Sequence, residues 1–550
     1  MELVTVDYLR RGKMELELER IHSQYYKVNA PRGMSKERNE LFRRLINRHS
    51  RMMPNFVFTN KHRDGKFTGV INVFTPTNFR AGHLQEVINF LDQSPVSWKW
   101  KDGKPNNLPF FDPTVDEDIT KEDIEKFVKK YIKAIGEIFT AKTGKILEYR
   151  DYQVEAVYKC LKNKTGIVLS GTGSGKSFMI SCVLSYLFSK KKIKRATIIV
   201  PRQSLIHQFR RNLQEFGFAP NSIGVFYSDE KELYLPITIA TYTSLKNLSE
   251  EVEEEDDYFC KQDLVICDEV HCCATKKNIK MVCSFTNGQY YMGYTATLPN
   301  TELETEQIKS LFGEVVIKKE MKELYEVYNA VCKLNVGILK YDFGKVSLKS
   351  RIDKISSTSN YHAEMEWLAE NDVMNKHLCK LIVNNVENGR NVVILTKRIE
   401  YANRIHDILD EMTAIPSYVI VRSGEKAKTL KQSEEILEKC RDKEERFIII
   451  SNAKLFSMGI DLSGIHMIVM LESGKSRVSI LQSLGRSVRK GELKDIAYIL
   501  DVSANMKYSI NHLNERYKIY EKSEFEIMEK TIKLDVDEFD NKMKKLKEKY

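Results

Sequence analysis

Two parallel α/β domains in tandem, preceded by a small α+β domain, are what the sequence predicts, and three observations carry the prediction. Short runs, apolar on both faces, recur at 166–170, 196–200, 237–240, 263–267 and 290–294, each separated by a stretch long enough for a crossover helix. Strands of that kind belong to parallel sheets covered by helices on both faces. The same rhythm returns at 391–395, 417–421, 446–450, 466–470 and 496–500, which calls for a second such sheet. Residues 1–110 lack the rhythm. They read as two short alternating strands, a basic helix near 36–47, a hairpin and another helix; the hairpin joins 56–58 to 70–74 across a turn holding Asp64-Gly65.

The elements order the chain as follows. A basic accessory domain occupies 1–110, a helical linker 111–140, the first α/β domain 141–325, a linker 326–365, the second α/β domain 366–505 and a charged helix 506–550. Thr120 and Asp123 have the spacing of a helix-capping pair at the start of the first linker. Glu250 to Asp257 holds seven acids in eight positions and reads as a solvated loop.

Composition removes several function classes. With 42% hydrophobic and 30% charged residues and a mean hydropathy of −0.40, the 550-residue chain can bury several cores, which excludes a fibrous or wholly disordered protein. No apolar stretch approaches the roughly 18 residues of a membrane span, and the first residues do not read as a leader, so a soluble, unexported, cytoplasmic protein is expected. Ten cysteines without a C-x-x-C spacing read as reduced thiols. The formal charge is +11, and residues 21–80 hold 12 basic side chains against 3 acidic ones. That concentration points to a polyanionic partner.

Ser170-Gly171-Thr172-Gly173-Ser174-Gly175-Lys176-Ser177 follows a strand and opens a helix, the context a phosphate-binding loop requires. Glycines let backbone N–H groups close around phosphates, Lys176 supplies a point charge, and the Ser177 hydroxyl can hold Mg²⁺. About ninety residues on, a second strand ends in Asp268-Glu269-Val270-His271. Acids at the C-terminal end of a parallel strand face the crevice where such sheets bind ligands. Asp268 is the candidate to share the metal with Ser177, and Glu269 the candidate to polarise a water for in-line attack.

In this order the motifs resemble those of the superfamily 2 helicases of the D-E-x-H subtype. Arg150 and Gln153 in Tyr149-Arg-Asp-Tyr-Gln153 look like the adenine-reading element. Val200-Pro201-Arg202 is similar to motif Ia, Thr241 and Thr243 to the next strand-binding element, and Thr295-Ala-Thr297 to motif III. In the second domain Thr396-Lys397 resembles motif IV, Gly459-Ile-Asp461 motif V, and Gln482-Ser-Leu-Gly-Arg486-Ser-Val-Arg489 the Q-x-x-G-R-x-x-R of motif VI. The resemblance covers 149–490 and implies two RecA-like domains, ATP with Mg²⁺ as cofactors, and hydrolysis assisted by Gln482, Arg486 and Arg489. It further implies that Gly459 and Asp461 touch the nucleotide, and that His271 couples its site to the second domain. Pro201, Arg202, Thr241, Thr243, Thr396, Lys397 and Arg422 lie at expected strand ends or the loops after them, where they suit backbone-phosphate contacts.

The accessory region, with Met53-Pro-Asn-Phe-Val-Phe, Arg63-Asp-Gly-Lys-Phe, Val70-Ile-Asn-Val-Phe and Arg80-Ala-Gly-His-Leu84, looks like the small domain before the motor in phage UvsW-type helicases. That resemblance implies a monomer acting on branched or duplex DNA with single-strand tracking, in recombination and repair, among single-strand-binding or recombination proteins and in the host cytoplasm. An RNA helicase, a restriction motor and a non-hydrolysing binder remain the alternatives; Lys176, Glu269 and Arg489 argue against the last, and no P-D and E-x-K nuclease pair is present for the second. Trp98-Lys-Trp-Lys101 reads as an edge strand with both indoles inward rather than a base-stacking platform.

Overall fold

A computed structural model describes residues 14–22, 24–52, 70–101, 116, 118–144, 146–171, 173–228, 230–251, 258–299, 301–328, 331–343, 360–420, 446–451, 464–471 and 496–534. The 56–58 strand, the Asp64-Gly65 turn and most of the acidic run after Glu250 lie outside the described residues. Two compact units make up the chain, Met1–Ser170 with Gly175–Lys319, and Glu320–Tyr550 with Gly171–Ser174.

The first unit opens with β1 (Glu15–His22), β2 (Tyr25–Asn29), β3 (Ser50–Met52), β4 (Val70–Asn72), β5 (Phe79–Arg80) and β6 (Ser97–Trp100). Four of them form a sheet in the order β5-β2-β1-β6, whose inward residues Leu16, Leu18, Tyr26 and Val28 pack on Leu84, Val87 and Leu91 of the helix Leu84–Asp92. The basic helix is two short helices, Ser35–Leu41 and Arg43–Arg48, and β4 pairs with β3. In the edge strand β6 both indoles turn toward the core while Lys99 and Lys101 pair with Glu15 and Glu19, as the alternation requires. Part of the region's positive charge is buried or already paired within the chain, Arg48 at an exposed position. Arg38 is buried against the Val28 carbonyl, Arg48 pairs with Glu86, and Arg51 with Glu306. Arg32, Lys36 and Arg44 remain exposed.

Next come β7 (Thr165–Ser170), β8 (Ala196–Val200), β9 (Ile223–Tyr227), β10 (Glu230–Lys231), β11 (Ile237–Thr241), β12 (Leu264–Asp268), β13 (Tyr290–Thr295) and β14 (Val315–Lys319). They build one sheet, β10-β9-β11-β8-β12-β13-β7-β14, parallel except for the β10–β9 pair. The helix Lys121–Thr143, expected as a linker, belongs to this domain's core: Ile124, Val128, Tyr131 and Ile135 pack among Val154, Val157, Phe178 and Leu213. Its spacing of apolar residues gives one buried face, and Thr120 Oγ1 caps it by accepting from the Asp123 N–H at 3.2 Å.

The accessory sheet and this parallel sheet meet on the helix Glu302–Phe312, which follows Thr295-Ala-Thr297. His49 Nδ1 lies 2.5 Å from Glu306 Oε1 and its Nε2 2.7 Å from Glu86 Oε2, while Arg80 donates to Ser310 Oγ at 2.7 Å. Burial opposes charge on His49, but the two carboxylates push it up to about 9. The backbones approach so closely that a Cβ on Gly82 would stand 1.9 Å from the Lys309 carbonyl oxygen. Only glycine fits there.

In the second unit β15 (Lys333–Asp342), β16 (Val392–Leu395), β17 (Ser417–Ile420), β18 (Ile448–Ser451), β19 (Met467–Met470), β20 (Ile496–Ala504) and β21 (Glu526–Lys533) form an all-parallel sheet, β17-β18-β16-β19-β20-β15-β21. Two expectations are corrected here. The presumed linker 326–365 contains β15, a ten-residue strand lying inside the sheet. The presumed terminal helix is a helix, Lys507–Lys522, followed by β21. β21 hid because it is an edge strand covered in charge, with Glu526 and Glu529 facing Lys333 and Lys340; such charge keeps an open edge from pairing with other chains. The helix before it is tied to β20 by a buried pair, Arg516 donating to both oxygens of Asp501 at 2.7 Å, with the Tyr520 hydroxyl donating to Asp501 Oδ2 at 2.7 Å.

Candidate functional site

The site is built at the C-terminal edge of the β7–β13–β12 part of the first parallel sheet. β7 runs into the phosphate loop, which ends at the N-terminus of the helix Lys176–Ser189. Gly173 and Gly175 take φ of 84° and 81°, the left-handed region that glycine enters without strain. A side chain at Gly175 is excluded twice, because a Cβ would also stand 2.3 Å from Gln153 Nε2. Gln153 is therefore packed against the loop, and its Oε1 accepts from the Arg150 N–H at 2.9 Å. Lys176 Nζ donates to the Ser170 carbonyl at 3.1 Å, and Ser177 Oγ accepts from Asn212 Nδ2 at 3.2 Å.

Two strands away, β12 delivers Asp268 and Glu269. The chain turns sharply there, with Glu269 at φ 49°, a conformation that costs a non-glycine residue about 1–2 kcal/mol and is held by the surrounding packing. The Glu269 carbonyl accepts from the Cys272 N–H at 2.9 Å, and the Tyr242 hydroxyl donates to the Asp268 carbonyl at 3.2 Å. Asp268 is 7% exposed, and its Oδ1 is buried with no hydrogen-bond partner among the described residues. Burial, and then the neighbouring Glu269 charge, raise its carboxyl above the usual range, with Lys176 opposing. An uncompensated buried carboxylate oxygen next to a lysine-bearing phosphate loop is the donor a divalent cation lacks until it binds.

Glu269 is wired differently. The Thr295 hydroxyl lies 3.0 Å from Glu269 Oε2, and His271 Nδ1 is 3.0 Å from the same hydroxyl and 3.3 Å from the carboxylate. Burial works against the charge of Glu269, but His271, Lys176 and Thr295 outweigh it and hold the group below the usual carboxylate range. Burial likewise opposes charge on His271, yet contacts with Cys272 and Glu269 push it up to about 10. Sequence alone exposed Thr295-Ala-Thr297 and His271 as a pattern; their convergence on one carboxylate needs the β12–β13 register, which sets Asp268 beside Tyr294. Asn212 and Tyr242 carried no signal. Thr295→Ala removes one hydrogen bond to a charged group, about 1.5 kcal/mol, and should lower ATP turnover roughly tenfold while Thr295→Ser retains it, as read by steady-state ATPase.

The expected nucleic-acid contacts divide. Thr243 is exposed at the start of the helix Tyr242–Glu251, and Pro201 and Arg202 are half-buried after β8. The Thr241 side chain is turned inward: it is 6% exposed and its Oγ1 accepts from the Ser244 N–H at 3.1 Å, capping that helix. In the second unit Thr396 is 1% exposed with its N–H donated to Ser451, whereas Lys397 is exposed beside the Tyr361 ring. Thr172, Arg422, Gly459, Asp461, Gln482, Arg486 and Arg489 lie outside the described residues.

Comparison with known proteins adds to this geometry. The family described as "Type III restriction enzyme, res subunit" matches residues 146–300, and "Helicase conserved C-terminal domain" matches 374–491. The chain is 23% identical over 451 residues to the ATP-dependent DNA helicase uvsW of Enterobacteria phage T4, covering 77% of this chain and 84% of that one. It is 28% identical over 406 residues to the DNA 3'-5' translocase XPB2 of Sulfurisphaera tokodaii, covering 68% and 86%. A solved structure of Mss116p bound to ssRNA and AMP-PNP shares the fold at 11% identity, with a TM-score of 0.55 over 75% of this chain and 80% of that one. No helix among the described residues is long and apolar enough to cross a membrane. With both family models matched, in order, along a chain whose first parallel sheet holds a phosphate loop and an acidic strand end together, the protein is an ATP-hydrolysing helicase that acts on nucleic acid and resembles the superfamily 2 enzymes of the UvsW type.

Proposed function

We propose that the protein is a DNA motor working at branched DNA, and that Glu269 is the group that activates the attacking water. Similarity to a phage DNA helicase carries the reading, since it extends over 77% of the chain, more than the motor span 149–490 accounts for. In this reading Gln153 and Arg150 serve the base, and the loop from Gly171 to Ser177 serves the phosphates. Ser177 and Asp268 would hold Mg²⁺, which neutralises phosphate charge when bound. Glu269 is kept ionised by Thr295 and His271, as a proton acceptor must be. Gln482, Arg486, Arg489, Gly459 and Asp461 complete the nucleotide site, the two arginines meeting γ-phosphate charge. Pro201, Arg202, Thr243, Lys397 and Arg422 hold the strand backbone; Thr241 and Thr396 support the loops that present it.

The accessory domain is assigned to the branch, through the exposed Arg32, Lys36 and Arg44. Each phosphate contact should contribute about 0.9 to the slope of log affinity against log salt on duplex DNA. Replacing all three by glutamine should therefore flatten the slope for a four-way junction by up to about three, while ATPase driven by saturating single strands persists. Fluorescence anisotropy across a salt series makes the test. An unchanged slope and junction affinity would move branch recognition off this surface.

A further inference from the structure

The seam between the accessory sheet and the helix Glu302–Phe312 holds a cluster that neither ATP chemistry nor strand binding uses. His49, His83 and Glu86 each bring one ligand atom within 4.8 Å of the others. His49 and His83 are 4% and 3% exposed, and their rings stand 4.3 Å apart between centroids. His83 Nε2 is buried with no hydrogen-bond partner among the described residues. A buried ring nitrogen without a partner is costly, and a bound ion is one of the few things that accounts for it.

We propose that His49, His83 and Glu86 form a transition-metal site of the zinc class, with Glu306 as the carboxylate behind His49. Two imidazoles and a carboxylate suit zinc and its first-row neighbours, not Mg²⁺ or Ca²⁺, which take oxygen. The outer shell is already in place. A metal-bound histidine commonly donates its second N–H to a carboxylate, and His49 Nδ1 stands 2.5 Å from Glu306 Oε1. His49 Nε2 and Glu86 Oε2, 2.7 Å apart, share a proton in this structure. Metal–nitrogen and metal–oxygen bonds of about 2.0–2.2 Å would hold these atoms roughly 3.3 Å apart, so the ion takes the proton's place after a small side-chain opening. Binding releases that proton to water, and His83 Nε2 supplies the third bond with its free lone pair. The ion would pin two accessory segments together, the one holding His49 and the continuous stretch holding His83 and Glu86, and, through Glu306, fasten them to the helix that follows Thr295-Ala-Thr297. This proposal does not depend on the choice of nucleic-acid substrate.

Co²⁺ is the probe, added to metal-free full-length protein. The expected result is one Co²⁺ per chain, visible in d–d absorption without a thiolate-to-metal charge-transfer band, displaced by Zn²⁺, with Zn²⁺ raising the melting temperature. His83→Gln should abolish binding, and Glu306→Gln, which keeps all three ligands, should weaken it about tenfold or more. Should His83→Gln fail to fold, Glu306→Gln and Glu86→Gln decide. Absence of Co²⁺ binding, thiolate bands that assign the metal to cysteines, or affinity unchanged in these variants would overturn the proposal.

Discussion

Glu269→Gln should lower ATP turnover by about 10²–10⁴-fold, the range spanned by a positioned proton acceptor, while ATP and nucleic-acid affinities stay close to those of the unmodified protein. The substitution keeps the shape of the side chain and removes only its charge and its ability to take a proton. In the structure that charge is shared by Thr295 at 3.0 Å and His271 at 3.3 Å, so the glutamine also leaves the His271 ring without its carboxylate partner. His271 should then titrate nearer its ordinary range, which NMR of the imidazole can follow. Single-turnover hydrolysis at saturating ATP measures the chemistry apart from binding. Near-normal turnover would take the role of water activation away from Glu269 and leave the network a structural latch between β12 and β13.

Arg489→Ala is expected to lower turnover of bound ATP by about 10³-fold or more with little change in ATP affinity. Arg486 and Arg489 stand three residues apart in the sequence, well beyond the domain that carries the phosphate loop. An arginine that meets the transferring phosphoryl group only as charge develops affects the barrier and leaves ground-state binding alone. Comparing the dissociation constant of a non-hydrolysable ATP analogue with single-turnover rates separates the two. A fall in affinity with surviving turnover would make Arg489 a ground-state ligand.

Much of the fold and the core of the site were legible because they rest on short-range patterns. The central strands β8, β11, β12 and β13 of the first sheet and β16, β18 and β19 of the second are buried on both faces, and the phosphate loop and D-E-x-H element are contiguous. What stayed hidden was long-range or disguised. β9 and β14 went unread in the first domain; β15 fell in a stretch taken for a linker, and the charges that shield the β21 edge imitate a solvent-facing helix. The basic count over 21–80 overstated the free charge, since Arg38, Arg48 and Arg51 are committed to internal partners that sequence cannot pair with them. Likewise a threonine at a strand end looks alike whether its hydroxyl faces a phosphate or, as in Thr241, caps the next helix.

We propose that ATP hydrolysis by this chain is driven by DNA, and most strongly by branched DNA. Steady-state ATPase of the full-length protein, with a four-way junction, linear duplex, single-stranded DNA and single-stranded RNA as stimulators at matched nucleotide concentration and salt, tests it most directly. The account predicts the highest stimulation with the junction, intermediate stimulation with single-stranded DNA and little with RNA. Stimulation by RNA equal to or above that by every DNA, or hydrolysis indifferent to nucleic acid, would contradict it.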